Sequence, residues 1–217
     1  MNFQGRKAWL FTATSPAEIF GGYAAIDAVQ DLVIAVDAGL HRVRELGLNP
    51  ILIIGDMDSV EPGLADLYPD CEQIRHPRQK NETDTELALN WCLEAGGVGE
   101  IVICNGLEGR FDHSLALVHN LESIRDRGVT ARIESEKQRL WFLEAETSLS
   151  GHTGCLLSLF AWGEESVFQR SHGLQYPLDG LKLHPGQVRG ISNRIEGVEA
   201  SIKLDRGKIL AILTKYV

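Results

Sequence analysis

Long apolar runs are missing from this chain of 217 residues. None approaches the roughly 18 residues that cross a bilayer, so no membrane-spanning helix is expected. Basic charge is also scarce: 21 Lys and Arg stand against 30 Asp and Glu, for a formal net charge of -9. A general nucleic-acid-binding surface is therefore not expected, although a local basic site stays open. The four cysteines, Cys71, Cys92, Cys104 and Cys155, form no CxxC pair. They read as reduced packing residues in a cytoplasmic protein. The seven histidines show no zinc spacing. There is no GxxxxGK(S/T) loop and no GxGxxG, so neither a P-loop nor a dinucleotide fingerprint applies. GDMDSVEPG, residues 55 to 63, fails as an EF-hand loop because Glu61 stands where the sixth-position glycine belongs. The start, MNFQGRKAWLFTATSP, has the outline of a signal peptide. Its apolar run is brief, however, and Thr12 and Thr14 continue an alternating pattern, so it reads as a strand.

What is present divides by texture. Up to about residue 145, apolar strands alternate with helical segments. Strands are expected over residues 8–13, 32–36, 51–54, 73–75, 101–104 and 129–134. SPAE, residues 15 to 18, reads as a capping box with Pro16 at the first helical position, and TDTE, residues 83 to 86, reads as another. A third helix spans residues 112–127, with Leu115, Val118, Leu121 and Ile124 on one stripe and Gly128 as its stop. Alternation of this kind implies a mostly parallel, Rossmann-like α/β sandwich. From about residue 146 the helices vanish. Short runs such as CLLSLFAW, SVFQR, VEASIKL and KILAILTKY imply a smaller antiparallel β-sandwich or barrel. The expected domains are therefore 1–145 and 146–217, with residues 139–143 assignable to either side.

In open α/β sheets ligands bind beyond the C-terminal ends of the strands. Asp37 follows one expected strand, and Asp56 and Asp58 follow the next. Asn105, Gly106, Gly109, Arg110 and Asp112 follow the IVIC strand. Asp84 opens a helix after a loop carrying Arg78 and Lys80. Two close carboxylates repel unless a cation or a proton sits between them. The set suits phosphate chemistry with a hard cation: Mg²⁺ takes oxygen ligands, usually one or two carboxylates plus substrate phosphates. Lys80, Arg78 and Arg110 would neutralise phosphate oxygens, and the glycines of NGLEGR would let backbone N–H groups approach an anion. Each feature alone has a plainer reading, as turn chemistry, helix capping or a solvated charged loop. Their coincidence on one sheet edge favours a site.

VDAGL, GDMDS, HPRQKNETDTELAL, NGLEGRFDHSLALVHNL, GLQYPL and ISN, in that order, resemble the thiamine pyrophosphokinase family from about residue 32 to 213. The resemblance implies an ATP-dependent pyrophosphoryl transferase that uses Mg²⁺. It would convert thiamine to thiamine diphosphate, releasing AMP, and act as a homodimer with active sites between subunits. By motif position it assigns Asp56, Asp58 and Asp84 to the metal. Asp58, Lys80, Asp84, Arg110 and Asp112 fall to catalysis, and Asp37, Lys80, Asn105, Gly106, Gly109 and Arg110 to ATP. Tyr176, Ser192 and Asn193 would contact thiamine from the β domain, where an aromatic face suits a thiazolium cation. One departure is Ala38, which adds a Cβ where the family often has Asp-Gly-Gly. Two other readings remain at this point. A metal-dependent sugar-nucleotide transferase would use the DxD but leave KNETDTE and GRFDH without a role. A non-catalytic nucleotide or thiamine sensor would not need the acid set.

Overall fold

A computed structural model describes residues 3–216, so the first two residues of the MNFQGRK segment and Val217 lie outside the described residues. Contacts divide the chain after Glu136 into two units. The first holds β1 (Arg6–Phe11), β2 (Leu32–Val36), α1 (Gly39–Glu45), β3 (Leu52–Gly55), β4 (Glu72–Arg75), α2 (Asp84–Glu94), β5 (Val98–Cys104), α3 (Phe111–Asp126) and β6 (Thr130–Glu134). Its six strands run parallel in the order β6–β5–β1–β2–β3–β4. Unbroken apolar runs form the middle strands because both of their faces are covered. Trp9, Phe11, Val33, Ala35 and Ile53 join Leu40 and Val43 of α1 in one core cluster. Alternate residues point to the opposite face. α2 packs on β2 and β3, α3 packs on β6, and the two helices touch each other.

Two expectations about the helical segments of this unit change. Residues 15–18 do not start a helix; the segment from Thr12 to Asp31 is irregular except for a short 3₁₀ turn at Tyr23–Ala25. The Ser15 hydroxyl turns inward and donates to the Cys104 carbonyl (2.7 Å). The Tyr23 hydroxyl donates to the Pro16 carbonyl (2.8 Å), and its ring stacks on Phe11 at 5.7 Å. On α3 the buried stripe is Leu117, Val118, Leu121 and Ile124, while Leu115 is 42% exposed. Leu117 replaces Leu115 because it lies four residues before Leu121 and seven before Ile124, inside the covered arc. α2 begins as expected, with the Thr83 side chain accepting from Glu86 N (3.1 Å).

The second unit holds β7 (Gln138–Phe142), β8 (Glu146–Ser148), β9 (Leu156–Ala161), β10 (Ser166–His172), β11 (Lys182–Leu183), β12 (Asn193–Arg194), β13 (Ser201–Arg206) and β14 (Ile209–Thr214). They pair antiparallel in two groups, β12–β9–β14–β7 and β11–β10–β13–β8. Residues 139–143 fall on this side of the break: β7 pairs along its length with β14. Leu157, Leu159, Ile209, Ala211 and Leu213 are buried, with Phe168, Ile202 and Leu183. All four cysteines are free thiols, Cys92 and Cys104 fully buried.

The Cβ that Ala38 adds to the Asp-Gly-Gly pattern meets no crowding; the close approach lies one residue later. Ala38 has φ −59° and ψ −9°, an ordinary helical conformation that accepts a Cβ. A Cβ on Gly39 would lie 1.8 Å from the Phe11 carbonyl oxygen. Gly39→Ala is therefore expected to lower unfolding free energy by about 1–3 kcal/mol. Ala38→Gly is expected to cost no more than about 1 kcal/mol. Urea titrations of both variants check this; equal losses would remove the packing role of Gly39.

Candidate active site

Strand order dictates where the first unit opens. From β1 the chain steps outward through β2, β3 and β4, then crosses back to lay β5 on the other side of β1. The loops after β1 and β5 leave the sheet in opposite directions, and a crevice remains between them. A cavity of about 490 Å³ lies there. Thr12, Ala13 and Thr14 line it from the end of β1, Val36 and Asp37 from the end of β2, and Asn105, Glu108, Gly109 and Arg110 from the loop after β5. The start of α2 adds Thr83, Asp84 and Thr85, and the first turns of α3 add His113, Ser114 and Leu117.

Hydrogen bonds across the crevice hold its rim. The Cys104 carbonyl accepts from the Thr12 hydroxyl (3.0 Å) and the Ser15 hydroxyl (2.7 Å). Asn105 Nδ2 donates to Thr12 Oγ1 (2.9 Å), and Asn105 Oδ1 accepts from Leu107 N (2.8 Å). Leu107 has φ 57°, a left-handed conformation that the Asn105 acceptor helps to hold. Gly106 donates its N–H to the Thr14 carbonyl (2.8 Å), and a Cβ there would lie 2.9 Å from that oxygen. Its glycine thus serves the approach of two loops. Gly109, at φ 84°, has open space around it and faces the cavity.

The acids divide in a way that spacing alone does not show. Asp37 sits at φ 48° directly after β2, and its Oδ1 accepts from Met57 N (3.2 Å). A Cβ on Gly55 would stand 1.8 Å from that same Oδ1, so glycine at the end of β3 makes room for the carboxylate. Burial pushes the Asp37 carboxyl up to about 6, and the negative charges of Asp84 and Asp56 push the same way; the Met57 N–H pulls it down. Asp37, Asp56 and Asp84 thus share one electrostatic neighbourhood. Asp58 is exposed, takes an Asp56 Oδ1 contact through its own N–H (3.0 Å) and pairs with Arg78 (3.2 Å). Lys80 pairs with Asp84 (2.7 Å), both largely buried. Arg110 and Asp112, both exposed, bind each other (2.5 Å), and the guanidinium holds the Asp112 carboxyl below its usual range.

Asp37, Asp84, Asn105, Gly109 and Arg110 line the cavity; Asp56, Asp58, Lys80, Gly106 and Asp112 do not belong to its lining. Thr12, Thr14, Thr83, Glu108, His113 and Ser114 were not on the sequence-derived set. Thr12 and Thr14 carried a usable signal, since the first strand of a doubly wound sheet ends at the crevice. In the second unit, Tyr176 is 61% exposed and Asn193 is 4% exposed. Ser192 is exposed, at φ 57°, with its N–H donating to Ser158 Oγ (3.1 Å).

A divalent cation fits this donor set in kind: every candidate ligand is a carboxylate oxygen, and three carboxylates compete for positive charge around Asp37. Among the described residues no three His, Cys, Asp or Glu side chains converge into a closed metal cage. Mg²⁺ does not require one, because it usually keeps waters and takes phosphate oxygens.

Residues 25–133, half of the chain, match the family model for the thiamin pyrophosphokinase catalytic domain. The chain is 24% identical over 186 residues to thiamine pyrophosphokinase of Bacillus subtilis, covering 83% of this chain and 86% of that one. It is 23% identical over 172 residues to thiamin pyrophosphokinase 1 of Caenorhabditis elegans, covering 75% and 70%. The crystal structure of the Bacillus subtilis thiamine pyrophosphokinase superposes with a TM-score of 0.85 at 20% identity, over 98% of this chain and 100% of that chain, a likeness of fold.

The rim bonds of Asn105 are measurable. Asn105→Ala leaves Leu107 N without its acceptor and Thr12 Oγ1 without its donor, and is expected to cost about 1–3 kcal/mol in urea unfolding. Asn105→Asp keeps the acceptor and is expected to cost less. Equal losses would put the whole effect on the Thr12 bond.

Proposed function

This chain is an enzyme of the thiamin pyrophosphokinase family, and on that footing we propose that it transfers a pyrophosphoryl group from ATP to the hydroxyl of thiamine, giving thiamine diphosphate and AMP. The observation that carries the reading is the acid- and hydroxyl-lined cavity at the β1–β5 crevice, where Lys80 pairs with the lining residue Asp84. Phosphoryl transfer asks mainly for positioning and charge neutralisation, and this edge supplies groups for both.

In this reading Asp56, Asp58 and Asp84, with Asp37 beside them, would hold Mg²⁺, which when bound would neutralise charge on the ATP phosphates. Lys80 and Arg78 now rest on Asp84 and Asp58. Arriving phosphate oxygens compete for those two cations, which frees both carboxylates. Arg110 stands on the cavity lining with a planar donor fork suited to a phosphate. Asp112 holds that fork through two hydrogen bonds. Asn105, Gly106 and Gly109 shape the loop that faces ATP. Tyr176, Ser192 and Asn193 form the acceptor side, with the exposed Tyr176 ring offering a π face to the thiazolium. We also propose a homodimer with active sites between subunits; sedimentation at the monomer mass with full turnover would overturn that part.

The test of function is product identity. The purified protein with ATP and Mg²⁺ is expected to form AMP only when thiamine is added. ADP instead would mean single phosphoryl transfer, and no turnover by folded protein would favour a sensor. Asp58→Asn is expected to lower kcat on the order of 100-fold. Because Asp58 is exposed, its stability should change by no more than about 0.5 kcal/mol. Parallel losses of both would mark a structural acid instead.

A further inference from the structure

The side chain of Asn193 is spent on backbone. Its Oδ1 accepts from Tyr176 N (3.0 Å) and from Arg194 N (2.9 Å), and its Nδ2 donates to the Tyr176 carbonyl (2.7 Å). A primary amide offers two acceptor lone pairs and two N–H donors. Both lone pairs and one donor are therefore taken, on a side chain only 4% exposed. The pair of bonds to Tyr176 copies the two-bond exchange of a hydrogen-bonded pair in an antiparallel ladder. The surrounding chain already runs that way: Leu174 bridges Ile195, and Gln175 N donates to the Arg194 carbonyl (2.8 Å). The Asn193 amide extends this pairing by one residue, to Tyr176. Beyond it stands Pro177, which has no N–H to give. Asn193 itself is fixed from behind, since its backbone pairs with Leu157 of β9.

We infer that Asn193 is a positioning residue that fixes the Tyr176 backbone so that the ring stands exposed toward the cationic acceptor, and that it does not itself bind the acceptor. Two features separate this from a direct contact. The side chain is inside, with a single N–H left over, whereas the Tyr176 ring is 61% exposed. The amide also grips both polar groups of one residue, which fixes where that residue's Cα and hence its ring can be. The inference rests on the proposed role of Tyr176 as an acceptor contact.

A double-mutant cycle tests it. Tyr176→Ala is expected to raise the KM for thiamine roughly tenfold, the size of a lost cation–π contact. Asn193→Ala is expected to raise it by a similar or smaller factor, with the KM for ATP unchanged in both. The combined variant should be no worse than Tyr176→Ala alone. If Asn193→Ala instead multiplies the KM of the Tyr176→Ala enzyme by its full single-variant factor, Asn193 contacts the acceptor itself and the inference falls. If Tyr176→Ala leaves the KM for thiamine unchanged, the acceptor reading of Tyr176 falls first, and the positioning role with it. Should Asn193→Ala not fold, Asn193→Asp serves in its place. It keeps the acceptor for Tyr176 N and Arg194 N and sets a carboxylate oxygen against the Tyr176 carbonyl, which breaks that one bond of the pairing. The same non-additivity is expected from it.

Discussion

The Cys104 carbonyl is the point to which the crevice is tied. It ends β5, and it accepts hydrogen bonds from the Thr12 and Ser15 hydroxyls just past the end of β1. Those two strands lie side by side at the place where the winding of the sheet reverses, and their ladder ends with the Thr12 N–H on the same carbonyl (3.3 Å). The hydroxyls carry the tie on into the departing loop. Asn105 adds a second tie through Thr12 Oγ1, and the Gly106 N–H a third through the Thr14 carbonyl. The cavity walls on both sides descend from this seam. Ser15, which its spacing offered as a cap, serves this seam, and residues 15–18 form no helix.

Charge on the same edge obeys a second constraint. Asp84 and Asp56 both repel the charge of Asp37, and burial raises the cost for Asp37 further. The fold offsets this with local cations and donors: Lys80 on Asp84, Arg78 on Asp58, and the Met57 N–H on Asp37. Under the proposed function, an incoming polyanion with a divalent cation would satisfy both sets of charges at once. The second unit follows a different logic. Its exposed Tyr176 ring is placed by hydrogen bonds to its backbone, with no charge involved.

Much of this was legible beforehand where a local rule dominates. Continuous apolar runs located the middle parallel strands within three residues, because burial on both faces leaves no room for polar alternation. Thr83 was readable as a cap from its spacing to Glu86. Thr12, Thr14 and Ser15 were misread as strand continuation and as a cap, because the partner that claims two of their hydroxyls, Cys104, lies about ninety residues away. Leu115 and Leu117 exchanged places because several stripes on α3 are nearly equally apolar, and only the packed sheet selects one. Ala38 looked like an intrusion, yet the crowded glycine is its neighbour Gly39, a distinction that needs the Phe11 carbonyl in view.

The sequence by itself determined the two textures, the order of the parallel strands, the two longer helices, and the residue types that meet at the C-terminal edge of the parallel sheet. Those properties follow from periodicity and side-chain chemistry along the chain, which are local. Tertiary structure alone decided which acids share a field, which cations hold them, and which polar side chains face a cavity or serve the backbone. Asp58 sits two positions from Asp56 yet pairs with Arg78, and Asp37 is tied electrostatically to Asp84 across a long stretch of chain. Coulombic and hydrogen-bond energies depend on distance through space, and spacing along the chain does not encode that distance.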